Sequence, residues 1–568
     1  MEERPYSYHT FLFPFLWNDG GAIQWADFEK VLSIGERWVE TSWRRERIPA
    51  GKSPDEWLQD YAVFQYFTEP VNNVIFNTRG DDVVRCFEYR YNGQPPKGRG
   101  KYRITKYSIT KGNEVFTLDI NNIRLHIYDV GVAILILELE NNAHHTPDDV
   151  NKINEYGRRI NMPFLIREGR HPVCADRIEI TFDGTVFESE DYRGTLEKLA
   201  HNFPAEKETF TLNYIMDPLQ KMIDGNGADN GGYEVTSNAA HRSSTKFFIK
   251  PCVDDRMFVC CLVADDELSN QIKGLNIAGY SFLDGWERRL TKKDGVVTDA
   301  EGKEYEPYQE GWADETAFAN KLYKLLFIEN DVTCQNTAMK KELLEKSVYR
   351  RWTDTGTLHG VTHHSLICAT NSSVEIPVIQ PFLTEYVQLA IFALAQRASI
   401  LSLSGEAAAV AEGFKDNQAI TAEQLRAIER LQAKYVKVQN QLFLFEATVQ
   451  EQGVEIYNLM KEQLYIDTNK EELAEQMNNL RDVADISNAR MERMHDEETK
   501  EREEKVNHLL HILTIVGLLL AALQTGLLLF PDSFWAAPCW TRILTCVVPS
   551  VLIVVLCLIY RRGRRNRR

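Results

Sequence analysis

The sequence predicts an α+β cytoplasmic domain, then a long helical, coiled-coil-like stalk, then a C-terminal two-helix transmembrane hairpin. Three observations lead there. Two apolar runs free of Asp, Glu, Lys and Arg stand close together, residues 509–530 with 22 positions and 543–560 with 18. A 4-3 repeat of apolar residues precedes them. Upstream, residues 1–375 mix β-patterned and helix-patterned runs.

At 1.5 Å per residue the first run extends about 33 Å, against a bilayer core of about 30 Å. The second is just long enough. The linker 531–542 places Trp535 and Trp540 as interface anchors, and six arginines stand among the last eight residues. Positive residues favour the cytoplasmic side. The prediction is therefore a multi-pass membrane protein with both termini cytoplasmic. Residues 531–542 form a short external loop and 561–568 a basic cytoplasmic tail. One hairpin encloses no water-filled path, so a conducting form requires a homo-oligomeric ring. Asn507, His511, Thr514, Leu518, Ala521, Thr525 and Leu528 follow 4-3-4-3-4-3 spacing and share one stripe of the first span. Asn507, His511, Thr514, Leu518 and Thr525 are the candidate pore-lining residues. Hydrogen bonding between helices explains the same stripe. With His511 on the path, conduction varies with pH.

The stalk pattern runs through Leu431, Tyr435, Val438, Leu442, Phe445 and Val449, then restarts at Leu473, Met477, Leu480, Ala484, Ser487, Met491 and Met494. Between them, Thr468 and Glu471 have capping-box spacing. A helix over about 420–466, a reversal at Asp467-Thr468-Asn469, and a second helix from 469 into the membrane follow. The charged stretch 496–505 reads as a solvated face, or as a ring of Glu498 and Glu501 drawing cations to an inner mouth. An alanine- and leucine-rich helix from Phe382 to about 411 packs on the stalk. The expected divisions are 1–375, 376–466 and 467–508, followed by the membrane hairpin.

Of 568 residues, 82 are acidic and 65 basic, a net charge of −17, which argues against a nucleic-acid partner. Ten cysteines without a CxxC pair read as reduced thiols, with no metal site. The N-terminus has no basic start or apolar core of a signal peptide. In the body, 115–119, 124–129 and 132–140 are strand-like, with turns at Asn121-Asn122 and Gly131. A helix starts at N-cap Thr146 with Pro147 first, and runs through Asn154 to Asn161, stopping before Pro163. A second strand pair, 246–252 and 256–263, turns at Asp254-Asp255. The Gly/Asn/Asp-rich segment 225–232 is a flexible loop. His144-His145 and His363-His364 read as surface residues. No nucleophile elbow, phosphate loop or metallopeptidase signature appears, so no enzyme and no cofactor is expected.

This architecture resembles the CorA family of magnesium channels, which form pentameric funnels. The resemblance covers about residues 380–568, and the body in outline. That family ends its first span with Gly-Met-Asn, which sets ion selectivity; here Gly526-Leu527-Leu528-Leu529-Phe530-Pro531-Asp532 stands, without Met-Asn. The body is more similar to the CorA-like membrane effectors associated with type III CRISPR systems. The matching residues are His9-Thr10-Phe11-Leu12-Phe13-Pro14-Phe15, the segment from Asn154 to Asn161 with Arg158-Arg159, Asp217 in Asn213-Tyr214-Ile215-Met216-Asp217, and Arg351-Trp352 through Gly356-Thr357-Leu358-His359-Gly360-Val361-Thr362. The resemblance implies a sensor of antiviral defence in the bacterial inner (plasma) membrane. A nucleotide second messenger, S-adenosylmethionine joined to AMP, binds the body, and the membrane part opens or disrupts the bilayer. Arg158 and Arg159 suit phosphate as planar bidentate donors. Asp217 suits the methionine ammonium or one of those arginines. Asn154 and Tyr156 complete the set, with Tyr156 or a tryptophan of the body as a stacking surface for adenine. Two arginines at a helix C-terminus also simply complement the macrodipole. The competing readings are a divergent CorA-type divalent-cation (Mg) channel and an anchored enzyme.

Overall fold

The computed structural model describes residues 4–16, 38–41, 61–78, 83–89, 105–159, 174–182, 185–191, 233–236, 244–247, 250–252, 256–274, 291–293, 296–298, 304–305, 315–330, 334–373, 375–414, 420–444, 446–529, 538–540, 547–548, 551 and 555. Two compact units are present: Met1–Lys415 with Ala422–Asn479, and Asp416–Thr421 with Leu480–Arg568. The first is mixed α and β; the second is built on a long helix.

A 13-stranded sheet forms the first unit. Its strands are β1 (Ser7–Leu16), β2 (Trp38–Thr41), β3 (Val84–Tyr89), β4 (Thr105–Lys111), β5 (Glu114–Tyr128), β6 (Val132–Asn141), β7 (Arg177–Phe182), β8 (Thr185–Asp191), β9 (Lys250–Pro251), β10 (Phe258–Ala264), β11 (Val348–Tyr349), β12 (Leu358–Thr362) and β13 (Ser365–Thr370). The main order is β11-β12-β13-β10-β1-β6-β5-β4-β7-β8, with β3 on β5, β2 on β3 and β9 on β1. Only the β10–β13 pair is parallel. β1 and β6 pair along their full length, from Ser7↔Asn141 to Leu16↔Val132. Both are covered on two faces, which is why they read as near-continuous apolar runs. Phe11, Phe13 and Phe15 of β1 join the main core cluster. Pro14 has no N–H to offer, and stands just beyond the last β10 partner, Leu12↔Phe258.

Helices cover both faces: α1 (Glu69–Phe76), α2 (Pro147–Gly157), α3 (Asp266–Gly274), α4 (Glu315–Phe327), α5 (Thr337–Ser347), α6 (Val387–Glu412) and α8 (Glu451–Gln463), while α7 (Ala422–Gln441) packs on α6 and α9 (Ile466–Leu529) follows α8 in the chain. Val150 and Ile153 of α2, Leu268 and Ile272 of α3, and Leu322 and Leu325 of α4 bury in the same cluster as the β1 phenylalanines. α6 lies against β1 and β6. The start of α2 is as predicted: the Thr146 hydroxyl accepts from the Asp149 N–H at 3.1 Å, and Pro147 opens the helix.

Several expectations need correction. Asn121-Asn122 is not a turn. β5 is one strand with a bulge between Ile120 and Asn122, because β6 pairs on both sides of the interruption. α2 ends at Gly157, not near Pro163, since Arg159 leaves the helix to bridge Arg256 and the Arg158 carbonyl accepts from the Met257 N–H at 2.8 Å. The strands around 250 and 260 do not pair with each other; both pair with β1. The helix expected over 420–466 is two, α7 and α8. Between them Thr448 bridges Phe67, the Thr68 N–H donates to the Ala447 carbonyl at 3.0 Å, and the Thr68 hydroxyl donates to the Glu446 carbonyl at 2.9 Å. Those tertiary bonds outweigh the heptad pattern. The reversal falls at Leu464–Tyr465, with Tyr465 at φ 55°, so α9 begins at Ile466 and Thr468 is inside it.

Among the described residues, two helices are long and apolar enough to cross a membrane: Pro377–Glu412, whose apolar window is 67% buried, and Ile466–Ala522, whose window is 0% buried. The first is a core helix of the sheet unit. α9 has 64 residues, about 96 Å at 1.5 Å per residue. Leu473, Met477, Leu480, Ala484 and Ser487 are buried along it, whereas Met494 is exposed. The span expected at 543–560 lies almost entirely outside the described residues, as does the loop 225–232.

Candidate functional site

The structure brings together two segments on which the family resemblance rests. His9 of β1 is fully buried, and its Nδ1 lies 2.6 Å from the Asn154 Oδ1 of α2. Its Nε2 lies 2.9 Å from the Ser7 hydroxyl, which accepts from the Asn141 amide at 2.9 Å. Burial lowers the His9 pKa to about 4, with the Asn154 bond opposing. A neutral imidazole here locks α2 onto the sheet. Cys261 of β10 lies beside Asn154, and burial pushes its thiol up to about 12. Tyr156 is buried, with the Lys111 ammonium 5.4 Å from its ring centroid. In this arrangement Lys111, not a base, occupies one face of the ring.

At the C-terminal end of α2 the side chains become charged. Arg158 is 2% exposed, and its Nη2 donates to the Ile328 carbonyl at 3.1 Å. Ile328 sits at φ 55° just after α4, a conformation unfavourable for a β-branched residue. The Glu155 carboxylate accepts from the Asn330 side-chain amide at 2.5 Å and faces its N–H at 3.3 Å. Burial raises the Glu155 pKa, opposed by Asn330, Arg158 and Arg159. Burial likewise raises Glu329, opposed by Tyr323, Arg158 and Arg256. Three guanidinium groups (Arg158, Arg159, Arg256) thus share a cluster with two carboxylates, a balance that favours an anion. Arg158 also clamps the turn after α4.

The third matched segment continues from that turn. The Leu326 carbonyl accepts from the Thr362 hydroxyl at 3.4 Å and from the Ser365 hydroxyl at 2.5 Å. His363 follows, with Nδ1 3.1 Å from the Gln463 carbonyl at the end of α8 and its ring 5.7 Å from that of Tyr465. Arg397 of α6 reaches the other His363 nitrogen. Arg351 pairs with Glu451 and Glu455 of α8 at 2.8 and 2.7 Å. A continuous set of contacts therefore runs from Arg158 to the first residues of α9. His144 is also tied in, its Nε2 accepting from the Thr117 N–H at 3.1 Å.

Asp217 lies outside the described residues. Asn507, His511, Thr514, Leu518 and Thr525 are all exposed along α9. Thr514 and Thr525 donate back to the Leu510 and Ala521 carbonyls at 2.7 Å, so neither hydroxyl proton requires an outside partner. Sequence reasoning missed Glu155, Ile328, Glu329 and Asn330. Glu155 was detectable as the i−3 neighbour of Arg158; the turn after α4 had no such signal. Among the described residues, no group of three or more His, Cys, Asp or Glu is placed to hold a metal ion. No family model, curated protein or solved structure matches the chain.

Proposed function

We propose that the chain is a CorA-like, multi-pass membrane effector gated by a nucleotide second messenger bound to its sheet unit. The observation that carries this reading is α9: one helix that begins beside the sheet unit and ends in a charge-free run whose apolar window is 0% buried. Such a run is stable only in lipid or against other copies of itself. A ring of copies, a pentamer by family analogy, supplies the conducting or disrupting assembly.

The messenger site in this reading is the end of α2. An anionic ligand takes Arg159 first, because it is less buried than Arg158, and then competes with the Ile328 carbonyl for Arg158. Loss of that bond frees the turn after α4, whose Leu326 carbonyl is held by Thr362 and Ser365 next to His363. The ligand shifts the equilibrium only by its preference for the released form. Titration of the S-adenosylmethionine–AMP conjugate into the detergent-purified full chain tests this, with cyclic oligoadenylates and magnesium as comparators. Tight binding of the conjugate that Arg159→Ala abolishes is expected. Conjugate binding unchanged in Arg159→Ala overturns the site. Binding of magnesium with no nucleotide turns the reading to a divergent cation channel.

A further inference from the structure

The ring that the sequence offers for stacking a base is already in use: Tyr156 is buried and has the Lys111 ammonium against it. A second aromatic surface stands beside the guanidinium cluster. Phe327, the last residue of α4, stacks on Tyr323 one helical turn earlier, with ring centroids 4.4 Å apart and planes 15° from parallel. Tyr323 is buried, and the Lys340 ammonium of α5 lies 5.9 Å from its ring centroid. Phe327 is half-buried, and among the described residues Tyr323 is the one ring that meets it. The column is therefore anchored at Tyr323 and ends at Phe327.

The chain passes from that ring straight into the Arg158 clamp. Ile328 follows Phe327, holds φ 55°, and offers its carbonyl to the Arg158 Nη2 at 3.1 Å. A β-branched residue in that region is costly, persists where its surroundings fix it, and marks ligand sites more often than chance. The Glu329 carboxyl is acted on by the Tyr323 hydroxyl and by the Arg158 and Arg256 guanidiniums, so the base of the column and the cluster share one neighbour. A flat apolar ring and guanidinium forks held within a few residues match the two ends of a nucleotide. Aromatic rings stack bases, and arginine forks take phosphate.

We propose that Phe327 is the base-stacking residue of the messenger site and sets its preference for a nucleotide over a plain sugar phosphate; this rests on the nucleotide reading above. An adenylate with its base on Phe327 and its phosphate on the guanidiniums reaches across the Ile328 carbonyl, the group that it displaces from Arg158. The test is titration of the S-adenosylmethionine–AMP conjugate into the detergent-purified full chain, followed by its displacement with AMP and with ribose 5-phosphate, which lacks the base. Phe327→Leu keeps an apolar side chain and removes the flat ring. It should weaken the conjugate and AMP by about tenfold, the effect of losing one base–aromatic stack, and leave ribose 5-phosphate at the parent value. Phe327→Trp, which keeps a flat face if the leucine variant melts early, should hold or tighten the conjugate with ribose 5-phosphate again unchanged. Conjugate affinity unchanged in Phe327→Leu, while Arg159→Ala abolishes it, overturns the stacking role and leaves the messenger site standing. Equal weakening of AMP and ribose 5-phosphate in Phe327→Leu also overturns it, because a merely structural ring does not read the base. A parent chain that does not bind the conjugate overturns the messenger site and the stacking role together.

Discussion

Buried histidines give the sheet unit a sensitivity to acid that its sequence alone does not show. His9, lowered from 6.5 to about 4, is neutral when folded. Its unfolded form takes up a proton first, so its contribution is complete above pH 6.5 and is lost as pH falls toward 4, on the order of 3 kcal/mol at most. Glu385 acts with the opposite sign: burial raises it to about 7, so protonation favours the folded state as pH falls through that value. Comparing chains isolates each share. His9→Gln should flatten the fall in the melting temperature between pH 6.5 and 4 relative to the parent, measured by circular dichroism; an unchanged slope would place the imidazole in water. The two arginines should separate in the same way. Arg158→Ala removes the buried guanidinium that Glu155, Glu329 and the Ile328 carbonyl share, a loss of about 3 kcal/mol as for a broken buried pair. Arg159→Ala should keep the melting temperature and lose the messenger. The Arg158-Arg159 pair was legible as charge at a helix end; that one arginine is an internal clamp was not, because its acceptor is a carbonyl 170 residues away.

Elements follow the sequence where local pattern and tertiary pairing agree. The Thr146 cap, the start of α2 and β6 fall where composition puts them. They depart where a distant bond wins. The α7–α8 break exists because residues 446–448 pair with Phe67 and Thr68, and no period in the sequence encodes a partner nearly 380 residues away. Gly453 at the start of α8 is part of the same junction. A Cβ there would meet the Tyr66 hydroxyl at 2.2 Å and the Thr448 methyl at 2.7 Å. Helix propensity alone favours alanine by about 1 kcal/mol. Here Gly453→Ala should instead destabilise by about 1–3 kcal/mol through overpacking, read from urea midpoints. A stabilised variant would mean that the junction is open.

At the scale of the whole chain, α9 is the only described element that both begins in the sheet unit and carries an unburied charge-free run. That run was the strongest signal in the sequence, because 22 uncharged residues have few other uses. The nucleotide site was weaker, since Asp217 falls outside the described residues and the messenger chemistry rests on resemblance. If α9 transmits the binding event, a Gly-Pro pair introduced at Leu480 and Arg481 should leave conjugate affinity unchanged and abolish membrane activity, because proline breaks the helical bonding. Activity that survives would remove α9 from the mechanism. The most direct test is release of an entrapped dye from liposomes holding the purified full chain, on addition of the S-adenosylmethionine–AMP conjugate. Release that depends on the conjugate and is lost in Arg159→Ala is the expected result. Liposomes that stay sealed with the conjugate, or leak equally without it, would contradict a messenger-gated membrane effector.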